Sequence, residues 1–84
     1  MYSYEKEREA ILTDEGQRRF LRFRDLAIYL IEKAGAVRMD KLLLEGDPWF
    51  YLACADRMIE LGEIQEVGDG ESMSNKQNRI FTRL

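Results

Sequence analysis

The sequence predicts a small α+β domain with three main helices and a C-terminal two-stranded β-hairpin. The clearest signal is the segment that opens with Asp47-Pro48, which favours a helix start, and continues to Gly62, which favours a helix end. Two short runs at residues 63–67 and 79–84 are typical of strands, and a polar, glycine-bracketed loop at residues 68–78 separates them. With 84 residues, the chain is expected to form one domain.

The first twelve residues are predicted to be an extension of this domain. Residues 4–12 alternate in charge and offer few apolar anchors, so they form either a short helix or a loose arm. We therefore place an N-terminal arm or short helix at residues 1–12 and the domain proper at residues 13–84.

The first main helix is expected to be long and amphipathic. Thr13 or Asp14 is a suitable N-cap, and Asp14 with Gln17 fits a capping box. The helix should end at Ala34, with Gly35 as its left-handed terminator. The apolar side chains that share one face are Phe20, Phe23, Ala27, Leu30, Ile31 and Ala34.

Residues 36–44 are predicted to contain a short bridging strand, Ala36-Val37-Arg38, and then a brief helix over residues 39–44 with Leu42 and Leu43 buried. The helix that follows Asp47 has an expected inward face and an expected outward face. The inward residues are Tyr51, Leu52, Ala55, Met58, Ile59 and Leu61, and the outward ones are Trp49, Ala53, Asp56, Arg57 and Glu60.

The next strand alternates imperfectly, since Ile64 and Val67 do not fall on the same face. A bulge or a loose strand end is expected there.

Composition excludes several functional classes. The chain has no histidine and a single cysteine, Cys54, so it lacks the commonest general base, an internal disulfide and a Cys-rich zinc site. We expect Cys54 to be a packed thiol. No cofactor, metal site or catalytic residue is predicted, and the protein is not expected to be an enzyme. The sequence has no apolar run long enough for a membrane span, and a cytoplasmic location is expected.

The order of helix, short helix, turn, helix, strand, loop and strand over residues 14–84 resembles the winged helix-turn-helix superfamily. The closest agreement is the pattern Ala55-x-x-Met58-x-x-Leu61-Gly62-Glu63-Ile64, which is similar to the end of a recognition helix in such domains. The resemblance implies a helix that enters the major groove of DNA and a wing that touches the DNA backbone, hence a non-catalytic, DNA-binding regulator of transcription.

Under this interpretation, the predicted partner is double-stranded DNA, bound by the protein as a dimer. The candidate nucleic-acid-binding residues lie in the wing and on the second and third helices: Asn75, Lys76, Arg79, Arg57, Arg38 and Lys41. Charge argues against strong binding, because the net charge is −3 and residues 35–84 contain six basic and nine acidic side chains. Useful DNA binding often takes about 6–10 phosphate contacts.

The alternative interpretation is a protein–protein interaction module that has the same fold and does not bind DNA. Trp49 and Phe50 are its candidate partner-binding residues, because exposed aromatic side chains are typical of interface hot spots. A homodimer is also predicted, with Leu21 and Ile28 at its interface, since they widen the apolar face of the first main helix.

A cluster of arginines on the first main helix allows two interpretations. Arg18, Arg19, Arg22 and Arg24 could form a patch for nucleic acid or an acidic partner. The favoured interpretation is a solvated helix face with local ion pairs.

Overall fold

A computed structural model of the chain describes residues 1–68 and 78–84. This part of the chain is an α+β fold with three α-helices, a 3-10 turn after the first strand and a three-stranded antiparallel sheet. The elements in chain order are α1 (Tyr4–Ile11), α2 (Asp14–Ala34), β1 (Val37–Arg38), the 3-10 turn (Met39–Lys41), α3 (Pro48–Glu60), β2 (Ile64–Val67) and β3 (Ile80–Arg83).

The sheet has the order β1-β3-β2, so the last strand in the sequence lies in the middle. Phe81 pairs with Val37 of β1 on one side and with Glu66 of β2 on the other. The register between β2 and β3 is continuous from Ile64 to Val67, so the expected bulge is absent from this strand. Ile64 is buried and Val67 is exposed because successive residues point to opposite faces, and the two are an odd number of positions apart.

The ends of α2 follow from local hydrogen bonding. Thr13 is the N-cap, and its Oγ1 accepts a hydrogen bond from the backbone N–H of Gly16 at 3.0 Å. Gln17 donates to the carbonyl of Ile11 at 2.7 Å, so its side chain ties α2 to the end of α1 and does not complete the expected capping box. Gly35 has φ 86° and ends the helix, as predicted.

The N-terminal segment is a helix whose apolar end belongs to the core. Ile11 is completely buried, although Leu12 beside it is exposed. Thr13 also donates to the carbonyl of Ala10, so the connection between α1 and α2 is a tight helical hairpin. Of the two alternatives for residues 1–12, the structure has the short helix, over Tyr4–Ile11, and Tyr2, Tyr4 and Ile11 pack against the rest of the fold.

The brief helix expected over residues 39–44 is reduced to the 3-10 turn. So short a segment gains few i→i−4 hydrogen bonds for the backbone it fixes, and burial of Met39 and Leu42 holds it instead. Leu43 is partly buried against the core.

The third helix is enclosed more completely than its sequence pattern predicts. Residues 50–55 are all buried, and the exposed fraction of Ala53 is 0 %. The expectation that Ala53 faces outward is wrong, because α1 packs along a side of α3 that the pattern leaves to solvent. Leu61, expected inward, is 48 % exposed because it is already the C-cap, beyond the last helical turn.

Gly16 should be the most sensitive position in the hairpin of α1 and α2. A β-carbon built there overlaps the carbonyl oxygen of Ala10 and lies 2.9 Å from the Cα of Ile11. In an open helix, Gly→Ala stabilises by about 1 kcal/mol. Here we expect Gly16→Ala to destabilise by about 2 kcal/mol, since backbone must move to admit the methyl group. Urea unfolding followed by circular dichroism measures the change, and a stabilised variant would show that the two helices do not approach this closely.

Candidate functional site

The third helix is the element that the sequence assigns to recognition, and its surroundings decide what it can bind. Asp47 caps it by accepting the N–H of Trp49 at 2.9 Å, and Pro48 occupies its first turn. Successive side chains of a helix point about 100° apart, so six consecutive buried residues mean that neighbours surround this part of α3. Helices α1 and α2 and strand β2 all pack against it.

A partly buried polar cluster joins α1 to the far end of α3 and to the sheet. The Tyr2 hydroxyl donates to Oδ2 of Asp56 at 2.5 Å, and Arg79 donates to Oδ1 of the same carboxylate at 2.7 Å. Arg79 also donates to Glu66 at 2.9 Å. Burial and the hydrogen bond to Asp56 raise the pKa of Tyr2. Burial disfavours the charged form of Arg79, but the two carboxylates outweigh it and raise its pKa.

A second, more exposed cluster lies one helical turn further along α3. The Tyr4 hydroxyl donates to Glu60 at 2.8 Å, and Arg57 and Arg8 pair with the same carboxylate at 2.6 Å and 3.3 Å. The hydrogen bonds from Arg57 and Tyr4 lower the pKa of Glu60. Together, the two clusters engage all three charged side chains of the helix, since Asp56, Arg57 and Glu60 are its only ionisable charges.

This arrangement changes the interpretation of the predicted nucleic-acid residues. Arg79 is 9 % exposed and held by two carboxylates, so the prediction that it contacts a phosphate is corrected: it is a structural cation. Arg57 is paired with Glu60. Arg38 and Lys41 are exposed, with Arg38 bonded to Asp40 at 2.9 Å. Asn75 and Lys76 lie outside the described residues.

The two aromatic candidates for partner binding have different environments. Trp49 is 42 % exposed at the start of α3, as a partner-binding side chain should be. Phe50 is 5 % exposed and packs edge-on against Tyr51 at 5.3 Å between ring centroids. The prediction that Phe50 contacts a partner is therefore wrong, because its position on the helix points it into the core.

The arginine cluster of α2 is partly structural. Arg19 lies over the ring of Phe50, 4.4 Å from its centroid, and donates to the Tyr51 hydroxyl at 3.2 Å. Arg24 binds both carboxylate oxygens of Glu63, and this pairing lowers the pKa of the acid. These contacts anchor α2 to the start of α3 and to Glu63 just beyond its end, so two members of the cluster serve the fold.

The residues predicted for a dimer interface lie on one flank of α2. Leu21 is 52 % exposed, and Ile28, about two turns further on, is partly buried against the core. The homodimer stays a prediction.

A groove that the sequence analysis missed runs along the opposite flank of α2. Its volume is about 750 Å³, and it lies between the second half of α2, β1 and the start of β3. Leu26, Leu30, Ala36, Val37 and Ile80 make its floor. The signal that could have found it is the row Leu26, Leu30 and Ala34, which recurs at every fourth residue beside the core stripe.

Cations line the same groove. Lys33, Arg38 and Lys41 all contribute to its wall. Within residues 1–68 and 78–84, neither Lys33 nor Lys41 has a carboxylate within ion-pair distance, whereas Arg38 is paired with Asp40 at 2.8 Å. The groove is therefore an apolar trough with surplus positive charge on its edges. Arg38 and Lys41, predicted as phosphate contacts, are brought together here, whereas the side chain of Arg79 is held by Asp56 and Glu66.

Other chemistry finds little support in the described residues. Cys54 is fully buried, and burial raises the pKa of its thiol to about 12. Across residues 1–68 and 78–84, no three His, Cys, Asp or Glu side chains are grouped so that they could hold a metal ion. None of the helices in this part of the chain combines the length and the apolar character that crossing a bilayer requires.

Comparison with known proteins gave no match to any protein-family model, curated protein or solved structure.

The tyrosine of the buried cluster should contribute measurably to stability. Tyr2→Phe removes the hydrogen bond to Asp56 and keeps the ring, so we expect a loss of about 1–2 kcal/mol in the free energy of unfolding. Tyr29→Phe is the matched control, because Tyr29 is 56 % exposed and should change stability by less than about 0.5 kcal/mol. Urea unfolding measures both changes. Equal losses of unfolding free energy in the two variants would mean that the hydrogen bond from Tyr2 to Asp56 does not stabilise the fold.

The thiol of Cys54 should be unreactive in the folded protein. With its pKa raised to about 12, almost no thiolate is present at neutral pH, and burial blocks reagents. We expect a disulfide reagent at pH 8 to modify Cys54 at least about a hundredfold more slowly in buffer than in urea, since modification requires opening of the fold. Comparable rates in the two solvents would contradict the packed-thiol assignment.

Proposed function

We propose that this chain is a non-catalytic binding domain on a winged-helix scaffold and that its partner is a protein. The scaffold is supported by the element order from α2 to β3 and by a sheet in which β3 lies between β1 and β2. In this architecture α3 is the recognition helix, β2 and β3 flank the wing, and α1 is an addition to the fold.

The observation that carries the proposal is the position of α1 on α3. A recognition helix must present side chains to the base edges of the major groove, which is about 12 Å wide and admits one helix. Here a second helix packs along α3, and hydrogen bonds from Tyr2 and Tyr4 engage its carboxylates. Opening this face would break the hydrogen bonds from Tyr2 and Tyr4 and expose Ile11, which is completely buried in the closed fold, so it is costly.

Charge supports the same conclusion. Affinity for DNA depends on cations that can neutralise phosphates, and useful binding often takes about 6–10 contacts. Arg79, Arg57 and Arg24 already pair with carboxylates of this chain. Giving up these pairs would offset much of the gain from phosphate contacts, so the cations near α3 are poorly suited to that role.

Duplex DNA is the second candidate partner. It is favoured by one observation, the gathering of Lys33, Arg38 and Lys41 along a single groove. The apolar floor of that groove fits poorly against a phosphate backbone, which is strongly hydrated and offers no apolar surface. A protein surface with both apolar and acidic side chains fits the floor and the edges together.

Titration of a fluorescent random-sequence duplex at about 50 mM salt tests the proposal, since low salt favours any electrostatic binding. We expect no saturable change in the anisotropy of the duplex up to about 50 μM protein. Among proteins that bind DNA non-specifically, the tightest typical Kd is about 10⁻⁶ M, so such binding would be visible in this range. A parallel titration of Lys33→Ala with Lys41→Ala identifies binding through the groove. Saturable binding by the unaltered domain that falls steeply with salt would overturn the proposal and establish DNA as the partner.

A further inference from the structure

We propose that the groove between α2 and β1 is the docking site for an acidic amphipathic helix of a partner protein. This inference rests on the proposed function and names the chemistry of the partner. None of the residues that line the groove belongs to α1 or α3, so occupancy of the groove does not require displacement of α1 from α3.

The floor of the groove calls for apolar side chains. Leu26 and Leu30 are partly buried side chains at the edge of the core. Ile80, on the outer face of the sheet, is 39 % exposed. From Leu26 to Lys33 the wall extends about 10 Å along the axis of α2. That length matches about two turns of an opposing helix, which presents apolar side chains at i, i+3 or i+4, and i+7.

The edges of the groove call for negative charge. Lys33 lies on one wall, on α2, and Lys41 lies on the other, just after β1. Lys33 also lies over the ring of Tyr29, 5.6 Å from its centroid, which places its ammonium toward the outer side of α2. A helix with Glu or Asp on both sides of its apolar stripe places carboxylates beside these two lysines, which adds both affinity and orientation.

A strand is a poorer occupant than a helix. The edge strand β1 has two residues, and antiparallel pairing with β3 uses the backbone of its first residue and of Met39. In such a ladder, Arg38 is left as the single residue whose backbone groups point away from β3. An added strand would gain too few main-chain hydrogen bonds to hold it.

A second copy of this chain is also a poorer occupant. The acidic helix that it could offer is α1, and α1 uses Tyr4 and Ile11 in packing within its own fold. The outward face of α2 mixes both signs of charge, with Arg18, Arg22, Asp25, Glu32 and Lys33. The described residues therefore contain no exposed helix with a leucine stripe and acidic flanks that could fill the groove of another copy.

Two synthetic helical peptides test the inference. Both have about 14 residues with leucines at i, i+4, i+7 and i+11, and the flanking positions are Glu in one and Lys in the other. We expect the Glu peptide to bind at least about tenfold more tightly than the Lys peptide, because like charges at the rim oppose binding. Backbone amide shifts in two-dimensional NMR should move around Leu26, Leu30, Ala36 and Lys41, and anisotropy of a labelled peptide gives the affinity.

Matched variants locate the site. Leu30→Gln removes apolar contact from the floor and should weaken the Glu peptide about tenfold. Ile28→Gln is the control, because Ile28 is equally a partly buried margin residue but lies on the opposite flank of α2. Lys33→Glu with Lys41→Glu should reverse the preference so that the Lys peptide binds more tightly. Thermal unfolding of each variant verifies that it is folded.

The inference is overturned if the Glu peptide does not bind, if both peptides bind equally, or if the shifted amides surround Trp49. It is also overturned if the domain alone is a dimer that Leu30→Gln converts to a monomer, since the occupant is then a second copy. These results are separate from the DNA titration. A domain that binds neither duplex nor peptide loses the groove assignment and keeps protein binding as the proposed function.

Discussion

The enclosure of α3 is the constraint on which the rest of the structure depends. Three small residues in succession, Ala53, Cys54 and Ala55, have no exposed surface, and they point in three directions around the helix. Small side chains on several sides let α1, α2 and the sheet approach the helix axis closely. Gly16 does the same where α2 leaves α1, since its backbone touches that of Ala10. The fold is thus arranged around one central helix.

Electrostatics follow from this packing. Closing α1 over α3 leaves the carboxylate of Asp56 partly buried, where it needs donors, and brings further donors to the more exposed carboxylate of Glu60. Tyr2 and Arg79 supply donors to one of them, and Tyr4, Arg57 and Arg8 supply them to the other. The cations near α3 are therefore used within the domain. Surplus positive charge remains on the far side of α2, beside an apolar surface, and that separation makes the groove the better candidate for a partner.

The local signals in the sequence predicted most elements well. Caps and glycines set the ends of α2 and α3, and the polar, glycine-bracketed loop between two short runs identified the two strands. These features depend on residues close together in the sequence. What failed depended on long-range packing: α1 on α3 buried Ala53, and the pairing of Arg79 with Asp56 turned a predicted phosphate contact into a structural ion pair. Phe50 failed for the same reason, because the contacts that bury its ring include Arg19 of α2, which is distant in the sequence.

The groove was missed because it belongs to no single element. In the sequence pattern, Leu26 and Leu30 lie at the edge of the apolar face of α2, and Ile80 and Arg38 belong to separate strands. Only the pairing of β1 with β3 brings them to one surface.

The central position of β3 has a consequence for how this protein is made. Because β1 and β2 pair with β3 and not with each other, neither has its sheet partner until residues 80–83 have left the ribosome. Phe81, one of the largest fully buried side chains, arrives at the same moment. The three helices can pack on one another before that point, but the face of α2 that meets the sheet is covered only after β3 has been made.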